Sequence, residues 1–574
     1  MRVVETILLV LLVLAALVGW LLFGIAPPPA VPPPVPVRQS GGGAPQRGPA
    51  PLVPPPHIAS FCGGCHAFPS PTSFPKDAWA REVRRGFQFY RQSSRTDLVE
   101  PIEADVVAWF RQAAPDRLPL PSIEQSPSPL RFESQTVPFV TPQPFAAVSA
   151  LDVIPGSVTG LNPAVIFGDM YSGNIAVLQP GPAPGDRATH GGTPVGLTVT
   201  VLARSSHPAG IHLADLDRDG VADWVIADLG SFEPADHELG RVLWLHGELP
   251  PGAASPDRPG GDADAAKSAP PRTLRLPVME RLELSELATG LGRVADVRPI
   301  DVDADGDMDL AVAEFGWLES GRLLWLEHRD DAQPPSPLAT FQLHELDPRH
   351  GTIHVPITDL DRDGHEDIIA LFSQEHESVE VFLNRGRGTF EKRLLYAAGD
   401  PAYGSSGIEL TDLDGDGDTD VLYCNGDTLD SFYIKPYHGL KWLENDGAGG
   451  FRPRQLTHMP GIHQARTADL DGDGDRDIVA CAYLPERLLR SVPEQRLDTL
   501  IWLEQAAPGR FVRHPLEASS VGHVALAIAD LDRDGRPDIV TGNFTNQTEG
   551  TRHSAWLSVW WNRGRRSVLS VPRP

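Results

Sequence analysis

DLDGDGDTDVLYC, residues 412–424, sets aspartates at the first, third, fifth and ninth positions of a nine-residue run, glycine at the sixth, and an apolar stretch behind them. Carboxylates packed this closely in a turn repel one another unless a cation sits among them. The glycine allows the sharp bend, and the seventh residue can turn its carbonyl inward. Such an oxygen cage suits calcium better than magnesium, which demands stricter geometry. The run recurs as DLDRDGVAD (215–223), DVDADGDMD (301–309), DLDRDGHED (359–367), DLDGDGDRD (469–477) and DLDRDGRPD (530–538). The expected ligands of up to six Ca2+ ions are therefore Asp215, Asp217, Asp219 and Asp223; Asp301, Asp303, Asp305 and Asp309; Asp359, Asp361, Asp363 and Asp367; Asp412, Asp414, Asp416 and Asp420; Asp469, Asp471, Asp473 and Asp477; and Asp530, Asp532, Asp534 and Asp538.

An EF-hand would need Glu at the twelfth position, where this chain has Ile226, Val312, Ala370, Tyr423, Ala480 and Thr541. Each loop runs instead into a strand-like segment such as DLAVAEF or DIVACAY, and each period holds a second, aromatic strand: VLWLHG, LLWLEH, VEVFLN, LKWLEN, LIWLEQ and SVWWNR. Four short strands per period predict one propeller blade each. The units resemble FG-GAP/VCBS repeats, the calcium-loop blades also found in integrin α-chain propellers, and the resemblance extends over about residues 129–574. Residues 146–204 read as four strands without the acidic loop, a degenerate first blade that makes seven. SPLRFESQTVPFV (128–140) is expected to supply the outer strand of the last blade and close the ring. The polar segment 247–272 reads as a surface insert.

The other end of the chain is unlike this. Residues 7–26 are uncharged and long enough to span a bilayer as a helix, so 1–26 reads as a signal anchor. Residues 27–56 are proline-rich and read as an extended stalk. SFCGGCHAF (60–68) then carries two of the four cysteines. Structural zinc would want a second pair, but Cys424 and Cys481 are single thiols in apolar runs. A redox pair would want a βαβ setting. Covalent haem attachment through Cys62 and Cys65, with His66 as an iron ligand, fits the spacing best, with a disulfide or a metal site as alternatives. Export agrees with haem, because c-type haem is attached outside the cytoplasm. Trp79, Val83, Phe87 and Tyr90 share one helical face, as do Ile102, Val106 and Phe110. With these helices, residues 57–118 resemble a small class I cytochrome c domain. That family commonly uses Met as the sixth ligand, and here no methionine lies between Met1 and Met170; His57 or Lys76 could replace it, or the iron could be five-coordinate.

The expected architecture is thus mainly β. It is a seven-bladed β-propeller with calcium loops (129–574), joined by a linker (119–128) to a small all-α cytochrome c-like domain (57–118), preceded by the stalk (27–56) and an N-terminal transmembrane helix (1–26). A net charge of −27 excludes nucleic acid as a partner. Residues 1–118 carry a net charge of about +3, so the remainder, 119–574, carries about −30. Ahead of the loops stand His207, Arg293, His354, His463 and His523, with Ser406 in the remaining blade. If the blades superpose, these ring the mouth of the channel opposite the loops, where Glu314, Trp317, Glu375, Asp427 and Glu486 also reach. They could form a polar site or merely hold neighbouring backbone. The function expected is electron transfer by an exported, membrane-anchored protein facing the periplasm or cell exterior, working with a redox partner protein or a small-molecule or carbohydrate ligand. A dehydrogenase or carbohydrate-active propeller passing electrons to the haem, which would make the protein an oxidoreductase, and an adhesion or protein-binding propeller, are the alternatives.

Overall fold

In the computed structural model, the described residues are 52–93, 95–160, 162–181, 196–247, 274–277, 281–329, 341–428, 433–492, 496–518, 522–546 and 555–566. The expected anchor, nearly all of the stalk and all of the insert at 247–272 but its first residue lie outside them. Among the described residues no helix is long and apolar enough to cross a membrane.

Seven antiparallel sheets follow one another, each ordered first to fourth strand. Blade 1 spans Val148–Ile154 to Leu197–Arg204, blade 2 Pro208–Ala214 to Glu283–Leu291, and blade 3 Val294–Ile300 to Phe341–Asp347. Blade 4 runs from Thr352–His354 to Phe390–Ala397, blade 5 from Ser405–Thr411 to Phe451–His458, and blade 6 from Ile462–Ala468 to Arg510–Glu517. In blade 7, Gly522–Ala529, Asp538–Phe544 and Ala555–Arg565 are joined by Leu130–Pro138, which pairs antiparallel with the last of these. The chain's two ends thus close the ring, as expected. Trp561 donates its indole N–H to Gln135 Oε1 (2.9 Å) across the seam.

The second strand of every blade is buried along its whole length, from Ala164–Asp169 to Asp538–Phe544. This explains the unbroken apolar runs after the loops: a strand covered on both faces loses the alternation of a half-exposed one. The cores lie between blades. Val225 and Val242 of blade 2 meet Val297 and Val312 of blade 3, and Val165 and Phe167 of blade 1 meet Val540 and Trp556 of blade 7. A single blade cannot bury its own faces, so closure completes the last of these cores.

Each first strand carries a bulge at Ser149, Ala209, Ala295, Ile353, Ser406, His463 or Val524. In the six looped blades it falls six residues before the first aspartate. In blade 4 the strand is also split, since Pro356 cannot donate to the ladder.

Residues 56–113 form a helical head of α1 (Pro56–Cys62), α2 (Trp79–Gln92) and α3 (Glu103–Ala113). Trp79, Val83, Phe87 and Tyr90 are buried as their spacing requires. On α3, Val106 and Phe110 are buried, but Ile102 is 69 % exposed and Trp109 takes its place inside. Ile102 caps the helix instead of lying within it, so the periodicity does not hold for it. The head shares a compact unit with the propeller. Phe74 meets Tyr433 edge to face, with ring centroids 6.0 Å apart, and Lys435 Nζ lies 4.9 Å from the Phe74 centroid. Ser73 donates to Asp400. Past the head, Leu120 packs with Ile434, Leu484 and Leu488, and Ser126 N–H bonds Arg513 O (2.9 Å). The linker is therefore laid along blades 5 and 6 until it enters blade 7.

Candidate functional site

The six acidic loops share one backbone form. The fourth residue is left-handed in each (Arg218, Ala304, Arg362, Gly415, Gly472, Arg533), with φ between 58° and 79°. The sixth is a glycine with φ from 78° to 98°, a region in which a side chain would be strained. In five of the six loops that N–H donates back to the first aspartate, as Gly364 does to Asp359 (3.0 Å) and Gly535 to Asp530 (2.9 Å). The turn therefore gathers its carboxylates at one point. Oxygens of Asp215, Asp217 and Asp223 lie within 4.8 Å of one another, as do those of Asp359, Asp361 and Asp367, and of Asp412, Asp414 and Asp420. This donor set fits a hard divalent cation.

The ninth aspartate begins the buried second strand, and it does two jobs. One oxygen accepts the N–H of the loop's second residue, as from Leu470 to Asp477 (3.1 Å). The other accepts a third-strand N–H: His328 to Asp309 (2.7 Å), Asn384 to Asp367 (2.7 Å), Asn445 to Asp420 (2.8 Å), Gln505 to Asp477 (2.9 Å) and Asn562 to Asp538 (2.8 Å). Three of those third-strand amides reach further. Asn384 donates to Val302 O (2.8 Å), Gln505 to Leu413 O (3.2 Å) and Asn562 to Leu470 O (2.8 Å), each in the loop of the preceding blade. Neighbouring loops are thus tied together. The Asn or Gln ending VFLN, WLEQ and WWN is the sequence signal for this, and its role is invisible without the blade-to-blade contact.

Burial pushes the ninth carboxyls up, to about 8 at Asp223 and Asp538, about 7 at Asp309 and Asp477, and about 6 at Asp367 and Asp420. Neighbouring aspartates add to the effect. The ion-free loop is an unfavourable place for four charges. Some loops carry their own counter-charge: Arg385 Nη1 lies 2.7 Å from Asp361 and 2.9 Å from Asp363, and Arg563 Nη1 2.9 Å from Asp532.

The opposite face and the channel are less regular. The five residues expected to ring the mouth straddle the first-strand bulge and fall into separate places. His207 and Arg293 are neighbours at strand entrances. Burial lowers both, with Arg293 brought down to about 10 and its guanidinium over the Phe315 ring. His523 is fully buried against Glu517 (2.8 Å). His354 and His463 are brought together on the inner strands, where burial first and then His354 push His463 down to about 4. Sequence reasoning missed the residue at their centre. Asp296 is 2 % exposed, 2.8 Å from His212 Nε2, 3.2 Å from Arg298 Nε and 3.7 Å from His354 Nδ1. Burial alone would raise its carboxyl, yet Arg298 and His212 hold it well below its usual range. Asp152, His212, Arg298 and Ile357, from four successive blades, line an open cavity of about 300 Å3 here. Glu314 is a buried ion pair with Arg322 (2.7 Å) and not a loop-tip group.

On the head, Cys62 ends α1 and Cys65 is exposed; neither is in a disulfide. Burial pushes Cys62 up to about 11 and raises Cys65 less, against the pull of Arg95, whose Nη1 lies 2.9 Å from its sulfur. Neither is the acidic thiol of disulfide exchange. A Cβ on Gly64 would lie 2.7 Å from Leu98 Cδ1 and 2.8 Å from Ser60 O, so close packing demands that glycine. His66 Nδ1 is 2.7 Å from Ala67 O, an arrangement that fixes the ring and leaves Nε2 for a metal. Lys76 is paired with Asp116 (2.9 Å). Cys424 and Cys481 are buried free thiols, as expected.

Residues 359–423 and 425–480, in blades 4 to 6, match the FG-GAP-like repeat family. No curated protein matches the chain. Among solved structures, the N-terminal domain of Nup159 is similar at 11 % identity and a TM-score of 0.36, covering 77 % of this chain and 98 % of that one. The Tc holotoxin pore of Photorhabdus luminescens is similar at 18 % identity and a TM-score of 0.27, covering 63 % of this chain and 14 % of that one. The molecule is a seven-bladed β-propeller carrying FG-GAP repeats.

Proposed function

We propose that this is an exported, membrane-anchored electron-transfer protein whose helical head carries one covalent c-type haem and whose calcium-stabilised propeller recognises a ligand or partner protein. The observation that carries the reading is the Cys62–Cys65–His66 set. Two unpaired thiols flank two glycines at the end of a helix, and the next histidine has its Nδ1 occupied by backbone. Cys62 and Cys65 would hold the haem and His66 would ligate its iron. When bound, the haem supplies one-electron transfer.

The propeller's part follows from rigidity. Its first, third, fifth and ninth loop aspartates would hold calcium, with the seventh carbonyl as a further ligand. Calcium there offsets the repulsion within each loop and leaves the opposite face, with longer connections and the head, as the place for recognition. An exported, anchored location rests on residues 1–56 as read from the sequence. A second reading makes the propeller an oxidoreductase feeding the haem, and the Asp296–His212–His354 group beside its cavity favours it.

The deciding measurement is a visible spectrum of the exported protein after denaturing extraction. A Soret band that survives, and disappears in Cys62→Ser/Cys65→Ser, supports covalent haem. Absence of the band in protein made with a working haem-attachment system ends the reading. For the enzymatic alternative, His354→Ala and His463→Ala should abolish substrate-dependent reduction of the haem.

A further inference from the structure

We propose that His350, Glu375 and His376 form a transition-metal site on the propeller face opposite the acidic loops. It differs in chemistry from those loops, and it lies beside the helical head, where the Glu375 carboxylate is one of the charges that raise the Cys65 thiol. His350 lies in the connection from blade 3 to blade 4, and the other two lie between the second and third strands of blade 4. His350 Nε2 is 2.9 Å from Glu375 Oε2, and His376 Nε2 is 4.0 Å from Glu375 Oε1. One ligand atom from each lies within 4.8 Å of the other two. Bonds of about 2.0–2.1 Å in a tetrahedral site set donor atoms about 3.3 Å apart, so the observed separations bracket what an ion would require.

The supports of both arms are rigid. Gln374 and Glu377, on either side of Glu375 and His376, are left-handed non-glycine residues with φ of 57° and 45°. Strain of this kind persists where surrounding structure enforces it, and here it does. Glu377 is buried and accepts N–H bonds from Gly404 (2.9 Å) and Ser405 (2.8 Å). On the other arm, Arg349 lies 4.0 Å from the Phe372 ring centroid and bridges Asp347 and Glu380 (both 2.8 Å), fixing the residue before His350. The two arms are joined by Ser373 N–H to Gly351 O (2.8 Å).

Two imidazoles and one carboxylate select zinc, iron, cobalt, nickel or copper over calcium. Three protein ligands leave a position for water or an outside ligand. The side chains are 20 %, 27 % and 20 % exposed, so an ion can enter from solvent.

The test uses the full chain in excess calcium, which fills the acidic loops, after transition metals have been stripped. Zinc is then titrated calorimetrically, and retained zinc is measured after gel filtration. The expected result is one zinc per chain. Its affinity should fall roughly tenfold or more in each of His350→Ala, His376→Ala and Glu375→Gln at unchanged melting temperature, and be unaltered in His354→Ala. Melting in calcium checks that each variant is folded, and Glu375→Gln keeps the side chain's volume should an alanine variant fail. No retained zinc overturns the proposal. So does zinc that is lost in Cys62→Ser/Cys65→Ser but kept in the histidine variants, because the ion would then belong to the cysteine pair.

Discussion

On one face of the disc, six loops repeat the same nine positions at the same point of each blade. On the other, the groups that meet come from unrelated places: His350 from a connection between blades, Glu375 and His376 from within one, and Phe74 from the head against Tyr433. The first face is periodic because every loop solves one local problem, gathering carboxylates at the start of a buried strand. The second is irregular because its loops answer to what lies above them. The difference teaches where stability and function are separable in this fold. Changes to the acidic face should act on the whole ring, whereas changes to the other face should stay local.

The largest effect that could break this contrast is removal of calcium. A chelator should lower the melting temperature of the propeller by roughly 10 °C or more, in one transition, since amide bridges tie the loops of blades 3 and 4, 5 and 6, and 6 and 7. Blades that melted separately in calorimetry would show the ties to be weak.

Next in size is Phe74→Ala on the head. It should cost the head about 3 kcal/mol of local stability and expose α2 and α3 to protease, with the propeller's melt unchanged. Loss of the propeller transition as well would mean that the second face is not local.

Asn562→Ala removes the bridge from blade 7 to Leu470 in the loop of blade 6. It should destabilise the calcium-loaded ring by about 2 kcal/mol in denaturant unfolding. Asn445→Ala should cost less, because that amide bonds Thr419 O within its own blade (3.1 Å).

The smallest effect is one of pH, and its sign is diagnostic. The ninth aspartates have folded, ion-free values of about 6 to about 8, against an ordinary 3.8. Groups raised on folding contribute stability that is full below the unfolded value and is lost as pH climbs through the folded one. In chelator, the melting temperature should therefore rise by a few degrees between pH 8 and pH 5. In calcium that trend should vanish or reverse, since protons then compete with the ion. A flat profile in chelator would mean that these carboxyls are not desolvated.

Much of this was legible in advance because the repeat reports local chemistry. Apolar runs after each DxDxDG announced second strands buried on both faces, and 128–140 could be assigned to the seam because blade 7 otherwise lacked a strand. The inner ring is harder to read for a physical reason. His207, Arg293, His354, His463 and His523 stand at different offsets, and a bulge six residues before the loop changes which side chains point inward. Counting residues across a bulge does not preserve a face. Asp296 escaped notice because a lone aspartate in VADVRPI carries no pattern, and only the approach of His212 and His354 from adjacent blades makes it a centre.

The amino-acid sequence by itself determined the blade, its number and its acidic loops, because a nine-residue turn and an apolar strand are decided by neighbours along the chain. It also placed Cys62, Cys65 and His66 together, since they are adjacent. Only the tertiary structure decided what faces what: the amides of Asn384, Gln505 and Asn562 reaching the preceding loop, the head seated on Tyr433, and His350 beside Glu375 and His376. Those contacts join residues whose separation in sequence carries no signal, and they exist because closing a ring of blades brings distant connections to one rigid surface.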